Sequence, residues 1–162
     1  MSIPGEPVNV HSLERARADA LRLLKFRPRS LAELTRRLAQ KGYSPAVVEE
    51  LLSEFKKTKL LDDARFAQLF AAHQMEVKPM GRKGLLNSLR AKGISEGEAA
   101  VAAEGALGEK SELERARELA SQRISRLRGL DPQAVKRRLF GLLSRRGFST
   151  DVVYRVVREA TQ

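Results

Sequence analysis

The residues of this chain that could perform catalysis are few, and their spacing fits no catalytic site. Asp62 and Asp63 are the one adjacent acidic pair with catalytic appeal, but they stand just before ARFAQLF, where an aspartate more simply caps a helix. The chain has no Cys and two His residues, His11 and His73, so disulfides and thiolate metal sites are excluded and no catalytic triad can be assembled. We predict no enzyme activity, no metal and no cofactor.

One glycine-containing segment has some likeness to a phosphate-binding loop. Residues 81–86 read GRKGLL, with two glycines and a lysine, but they lack the P-loop spacing in which Lys precedes Ser or Thr. We favour a loop and helix start at Gly81 and Gly84, and keep a phosphate-binding loop as the alternative.

The abundant functional side chains are basic. Thirty-one Lys and Arg face twenty Asp and Glu, which gives a net charge of +11 and a pI near 10.5. Most of the cations are Arg, whose planar guanidinium suits multidentate contact with phosphate or carboxylate groups. This composition predicts a nucleic-acid partner or an acidic protein partner.

One short segment, with Lys or Arg directly before a glycine, occurs three times in the chain. LAQKGYS at 38–44, LRAKGIS at 89–95 and LSRRGFS at 143–149 each read as the end of one helix and the start of the next. The glycine can take the left-handed conformation that ends a helix, and the hydrophobe after it can pack on the Leu of the last turn. The serine is then a natural N-cap, and Glu98 is placed to complete a capping box with Ser95. We call each segment a corner.

The repetition extends beyond the corners and predicts the fold. Pairs of Leu spaced four residues apart precede each corner, and pairs of Ala recur further upstream, each on one helical face. No segment alternates like a strand. The sequence therefore predicts an all-α fold of three tandem three-helix repeats in an elongated, curved arrangement. The predicted parts are an N-terminal extension (1–11), unit 1 (12–61), unit 2 (62–110) and unit 3 (111–162).

The charge is concentrated in the outer units. Units 1 and 3 each have twelve Lys and Arg against six Asp and Glu, whereas unit 2 has seven of each. At about 100° per residue, most cations of the second helix in each unit fall away from its apolar stripe. They are merely solvated or they contact a partner. We predict DNA or filament contact by Arg36, Arg37, Lys41, Lys83, Arg90, Arg137, Arg138, Arg145 and Arg146.

A base-reading helix-turn-helix is disfavoured, although the corner resembles the turn of that motif. The helices after the corners begin with carboxylates, such as Glu49, Glu96 and Asp151, where a reading helix presents cations or amides to the major groove. Contact with a phosphate backbone or an acidic partner fits the sequence better.

Localisation is predicted from what the sequence lacks. The first ten residues, MSIPGEPVNV, have no basic start and apolar run of a signal peptide, and no apolar stretch approaches the roughly 18 residues of a membrane span. We expect a cytoplasmic protein without a membrane partner, and a monomer.

Four segments together carry a family resemblance. RPRSLAELTRRLAQKGYS at 27–44, LLDDARFA at 60–67, GRKGLLNSLRAKGIS at 81–95 and LLSRRGFSTDVVYRVV at 142–157 resemble, in that order, the RecX family of recombination regulators. The resemblance runs from about Ala16 to the C-terminus. The combination of LLDDARFA with LRAKGIS is specific, whereas a single corner is not.

The resemblance implies a function that composition could not show. It implies three tandem three-helix repeats and binding to the RecA recombinase and its filament on single-stranded DNA. It further implies inhibition of strand exchange and ATP hydrolysis, through blocked filament growth or promoted disassembly, without enzyme activity. Several members also bind DNA directly. The alternative is a stand-alone basic helical protein that binds DNA without sequence specificity; a scaffold for acidic proteins is a third possibility.

Overall fold

The predicted all-α fold is confirmed. A computed structural model describes residues 10–162, and within that range there is no strand. Nine α-helices and a 3-10 turn at Ser125–Leu127 follow one another; the helices are α1 Val10–Phe26, α2 Leu31–Gln40, α3 Pro45–Lys57, α4 Asp63–Val77, α5 Arg82–Ala91, α6 Glu96–Leu107, α7 Glu112–Ile124, α8 Pro132–Arg145 and α9 Thr150–Ala160. Val10 and His11, predicted as part of the extension, lie in the first turn of α1. The rest of that extension lies outside the described residues.

The helices form three triplets, each with its own hydrophobic core. All extensive helix–helix packing lies within a triplet: α1 to α3, α4 to α6, and α7 to α9. The Leu pairs predicted on the second helices are fully buried, as are the Ala pairs predicted on the first helices; they are Leu34, Leu38, Leu85, Leu89, Leu139, Leu143, Ala16, Ala20, Ala67, Ala71, Ala116 and Ala120. The small Ala side chains let the first helix approach its neighbours closely.

The three corners have the predicted helix-ending geometry. Their glycines have φ of 90°, 77° and 72° at Gly42, Gly93 and Gly147, and each glycine amide donates to a carbonyl three residues back at 2.8–3.0 Å. The amide of the next residue donates to the Leu carbonyl of the last turn at 3.3 Å in all three. These two hydrogen bonds are the Schellman pair, so the glycine is required by the backbone.

The serines of the corners do not all act as predicted. Ser44 and Ser95 accept a hydrogen bond from an amide of the following turn at 3.4 Å, as expected of N-caps. The Ser95 hydroxyl also donates to the Glu98 carboxylate at 2.6 Å, and no reverse bond from the Ser95 amide closes the predicted capping box. Ser149 accepts no capping bond. It donates its hydroxyl to Glu112 at 2.9 Å, because α7 brings that carboxylate to the corner.

The corner of unit 2 also fastens unit 2 to unit 1. The fully buried Ser30 hydroxyl, at the start of α2, donates to the Lys92 carbonyl at 2.5 Å. The Lys92 ammonium lies 2.8 Å from the Glu33 carboxylate of α2. Asp63 of unit 2 accepts the Leu31 amide at 2.8 Å. These contacts satisfy polar groups that the ends of helices leave without partners. We call such a contact between a corner and the preceding unit a joint.

The joint between units 2 and 3 uses the equivalent positions with different chemistry. The Gly81 amide, at the start of α5, donates to the Arg146 carbonyl at 2.9 Å, and the Arg146 guanidinium donates to the Pro79 carbonyl at 3.1 Å. A Cβ on Gly84 would lie 2.3 Å from the Arg146 carbonyl oxygen, and one on Gly147 would lie 2.2 Å from the Gly84 amide nitrogen. The backbone at Gly84 therefore contacts the backbone at Arg146 and Gly147 directly. This close approach leaves no room for a Cβ and explains the glycines of GRKGLL.

We expect Glu33→Gln to weaken the joint between units 1 and 2 in a pH-dependent way. Burial raises the pKa of the Glu33 carboxyl, but hydrogen bonds from Arg27 and Lys92 outweigh that effect and lower the pKa from 4.5 to about 2. A carboxyl with a lowered pKa stabilises the fold above its unfolded pKa, and this contribution is lost as the pH falls toward the folded pKa. The stability difference between wild type and variant should be largest above about pH 5 and should narrow as the pH falls toward about 2.

The measurement is urea unfolding at a series of pH values, followed by circular dichroism. Glu109→Gln is the matched control, since Glu109 is exposed and has no ion pair within residues 10–162. A gap between wild type and Glu33→Gln that stays constant with pH would show that the joint does not depend on this charge.

Candidate partner-binding surface

Arg36 and Arg37 are two accessible cations on the second helix of unit 1. Both lie on α2 after the buried Leu34, both are exposed, and neither has a carboxylate within 4 Å among residues 10–162. A guanidinium that is solvated and unpaired can contact an anionic partner without first breaking an internal ion pair. The structure therefore leaves both side chains free for the predicted role.

Two other predicted contact residues have local partners. The Lys41 ammonium lies 3.3 Å from Asp19, and the Arg90 guanidinium lies 3.0 Å from Glu96. The hydroxyl of Tyr43 donates to the same Asp19 carboxylate, and that hydrogen bond, with the Lys41 charge, lowers the pKa of Asp19. Lys41 and Arg90 are still about half exposed, so a partner could reach them, but their charges are partly neutralised already.

Lys83 and Arg145 come from different units and line the same cleft. The cleft lies beside the joint between units 2 and 3 and has a volume of about 510 Å³. Asn87, Ser144 and Thr150 add amide and hydroxyl groups to its wall. Two cations with neutral hydrogen-bonding groups are a suitable lining for a phosphate or a carboxylate. Sequence spacing alone could not place these two residues together.

The predicted contact residues on α8 and at its C-terminal end differ in exposure. Arg137 and Arg138 lie on α8, are exposed, and have no ion pair with any described residue. Arg146 is half-buried, and its guanidinium is bonded to Pro79 in the joint. Arg146 therefore helps to hold units 2 and 3 together, and its replacement would disturb the fold as well as any surface contact.

A groove between α8 and α9 was not predicted from the sequence. Its floor is formed by Phe140, Tyr154 and Val157, and Lys136 and Arg158 stand on its rim. The Phe140 and Tyr154 rings pack edge to face, with centroids 5.2 Å apart. Lys136 and Arg158 have no ion pair within the described part of the chain. Aligning the corners of units 2 and 3 would have revealed Arg158, because the equivalent residue of unit 2 is the acidic Glu104.

The residues considered for chemistry have structural roles. Asp62 caps α4 by accepting the Arg65 amide at 2.9 Å, as predicted. Asp63 accepts the Leu31 amide, and burial raises the pKa of its carboxyl. Within residues 10–162 there is no group of three or more potential metal ligands, and no helix is long and apolar enough to cross a membrane.

Fold and surface together define a class of protein: a tandem repeat of three-helix units, with exposed cations on the second helix of each unit. Family models place it more narrowly. Those described as the first, second and third three-helix domains of RecX match residues 16–55, 62–102 and 110–157, in that order. The chain therefore belongs to the RecX family.

Individual relatives support this assignment. The regulatory protein RecX of Thermobifida fusca is 37% identical over 145 residues, which cover 90% of this chain and 78% of that protein. The regulatory protein RecX of Streptomyces coelicolor is 36% identical over 160 residues, covering 98% of this chain and 83% of that protein. The crystal structure of RecX from Lactobacillus salivarius has the same fold, with a TM-score of 0.73 at 19% identity over 94% of this chain and 98% of that one.

Proposed function

We propose that this chain is a non-enzymatic regulator of homologous recombination and DNA repair. It binds the RecA recombinase and its filament on single-stranded DNA, and it inhibits the ATPase and strand-exchange activities of that filament. Membership of the RecX family carries the proposal. We further propose that it acts as a monomer in the cytoplasm and binds DNA directly but weakly, without sequence specificity.

The distribution of exposed cations supports a partner that is long and acidic. Arg36 and Arg37 lie in unit 1, Arg137 and Arg138 lie in unit 3, and all four are exposed without ion pairs within residues 10–162. A nucleoprotein filament offers phosphates and protein carboxylates along one continuous surface, so both ends of this chain could bind it at once.

Acids at the start of two of the third helices, α6 and α9, argue against base reading, whereas the first turn of α3 has none because Glu49 lies in its second turn. Glu96 and Glu98 lie in the first turn of α6, and Asp151 lies in the first turn of α9. Carboxylates stabilise a helix N-terminus but repel phosphates. Direct DNA binding would therefore use the second helices and the phosphate backbone, which gives affinity without sequence specificity.

The decisive experiment measures ATP hydrolysis by the recombinase on single-stranded DNA while this protein is added. We expect inhibition at less than one copy per recombinase, because one regulator bound to a filament can affect many subunits. The protein alone should hydrolyse no ATP and cut no DNA. Retention on bare single-stranded DNA should fall steeply with salt, as expected for phosphate contacts.

A stand-alone DNA-binding protein is the competing function, and the net charge of +11 favours it. Such a protein would bind bare DNA and the filament with the same steep salt dependence, and it would inhibit the ATPase only when it covers the DNA. That result would overturn the proposal. An ATPase or nuclease activity that is lost on replacing Asp62 and Asp63 would contradict the non-enzymatic assignment.

A further inference from the structure

The groove between α8 and α9 has an open apolar floor with cations on its rim. Its volume is about 540 Å³, and the Tyr154 side chain, which forms part of the floor, is 62% exposed. Lys136, Arg137 and Arg158 line the edges without an ion pair to any residue in 10–162. An exposed aromatic surface surrounded by charges of one sign is typical of a binding site.

Unit 2 has an equivalent groove, between α5 and α6, that is closed by an internal ion pair. Gly93 and Gly147 are equivalent, so a shift of 54 places Arg82 on Lys136 and Glu104 on Arg158. In unit 2 the Arg82 and Glu104 side chains meet across the equivalent groove at 2.7 Å. Unit 3 therefore retains the cation on the second helix and replaces its carboxylate partner on the third helix with a second cation.

The floor of the groove changes in the same comparison. The shift of 54 places Ala100 on Tyr154 and Leu86 on Phe140, so unit 3 has two aromatic rings where unit 2 has smaller side chains. Two cations that line one groove repel each other, and exposed aromatic area costs free energy in water. Both changes become favourable when a ligand supplies a carboxylate and an apolar side chain.

We propose that this groove binds an acidic segment of a partner protein. A carboxylate of the segment lies between Lys136 and Arg158, as the Glu104 carboxylate lies against Arg82, and a neighbouring apolar side chain packs on Phe140 and Tyr154. The inference rests on the proposed function, since the recombinase would supply the segment. A protein segment fits better than a nucleic acid because the equivalent place in unit 2 is occupied by a carboxylate, that of Glu104, which lies 2.7 Å from Arg82.

Arg158→Glu tests the proposal. It places a carboxylate opposite Lys136, as Glu104 lies opposite Arg82 in unit 2, so the site for the partner's carboxylate is already occupied. The substitution also keeps a long side chain at this position. We expect binding to the recombinase filament to weaken about tenfold, while binding to bare single-stranded DNA changes no more than in the control. The control is Arg126→Glu, which makes the same charge change at an exposed residue away from the groove. Tyr154→Ala, which removes the floor without altering charge, should weaken filament binding in the same direction.

Each outcome separates this inference from the proposed function. If wild type fails to bind the filament, the proposed function fails first. If wild type binds, but Arg158→Glu and Tyr154→Ala bind as well as Arg126→Glu, the groove is not the docking site although the function stands. If Arg158→Glu weakens filament and bare DNA equally beyond the control, the groove binds nucleic acid and the inference is overturned. Circular dichroism of each variant checks that α8 and α9 are intact.

Discussion

Replacing Gly147 with alanine should lower the free energy of unfolding by about 2–4 kcal/mol. Gly147 has φ of 72°, and a Cβ there would lie 2.2 Å from the Gly84 amide nitrogen and 2.4 Å from its Cα. These neighbours are backbone atoms, so no side chain can rotate away to make room. The added methyl group must open the joint between units 2 and 3, which also separates the Gly81 amide from the Arg146 carbonyl.

Gly42→Ala is the matched control, because Gly42 occupies the same place in the corner of unit 1. Its φ is 90°, but a Cβ there would meet no atom of residues 10–162 within 4 Å. In Gly42→Ala the free energy of unfolding should therefore fall only by the cost of the strained backbone, about 1 kcal/mol. Equal losses in the two variants would show that the joint adds nothing to stability.

The measurement needs two readouts, since each unit has its own core and the joint could open without global unfolding. Urea unfolding followed by circular dichroism gives the free energy of unfolding. Small-angle X-ray scattering gives the radius of gyration, which should increase in Gly147→Ala and stay unchanged in Gly42→Ala. If Gly147→Ala is strongly destabilised but its radius of gyration is unchanged, the strain lies within unit 3 and the joint stays closed.

Removing exposed cations from both outer units should weaken filament binding more than a hundredfold, and removal at one end about tenfold. The variants replace Arg36 and Arg37 in unit 1, and Arg138 and Arg145 in unit 3, with alanine. Arg146 is left in place because its guanidinium is bonded to the Pro79 carbonyl in the joint. The loss at both ends exceeds either single loss because each bound end raises the effective concentration of the other.

Binding is measured by inhibition of the recombinase ATPase over a range of salt concentrations. The control variant carries alanine at Lys56, Lys57, Arg123 and Arg126, four exposed cations outside the predicted surface, and so has the same net charge. We expect it to inhibit nearly as well as wild type. If the four-residue variant of the outer units also inhibits as wild type does, the cations at the ends are only solvated, and Lys83 and Arg90 of unit 2 become the residues to test.

Much of the fold could be predicted because its determinants are local. Leu34 and Leu38 mark the buried face of α2 through their spacing, and Gly42 ends that helix because its backbone must adopt positive φ. Ser44 and Pro45 start the next helix by capping chemistry that acts within four residues. Three copies of this pattern reinforced one another, so the repeat architecture followed from sequence separations alone.

The candidate site was predicted less completely. Exposure of Arg36, Arg37, Arg137 and Arg138 followed from helical phase, and the structure agrees. Helical phase does not tell which residues of another unit lie against a side chain. It therefore could not distinguish these residues from Arg146, whose guanidinium donates to the carbonyl of Pro79, 67 residues upstream in unit 2. It also gave no sign that Lys83 and Arg145 share a cleft.

The sequence by itself determined the local features of this protein: three helices in each of three units, the glycines that end the second helices, and the faces on which the buried Leu and Ala pairs lie. Tertiary structure alone decided how the units join and where their surfaces meet. The Lys92 and Arg146 carbonyls are left without helical partners by the corner, and the preceding unit satisfies them with the Ser30 hydroxyl and the Gly81 amide. Such pairings depend on close approach of segments more than 50 residues apart, which no local pattern encodes.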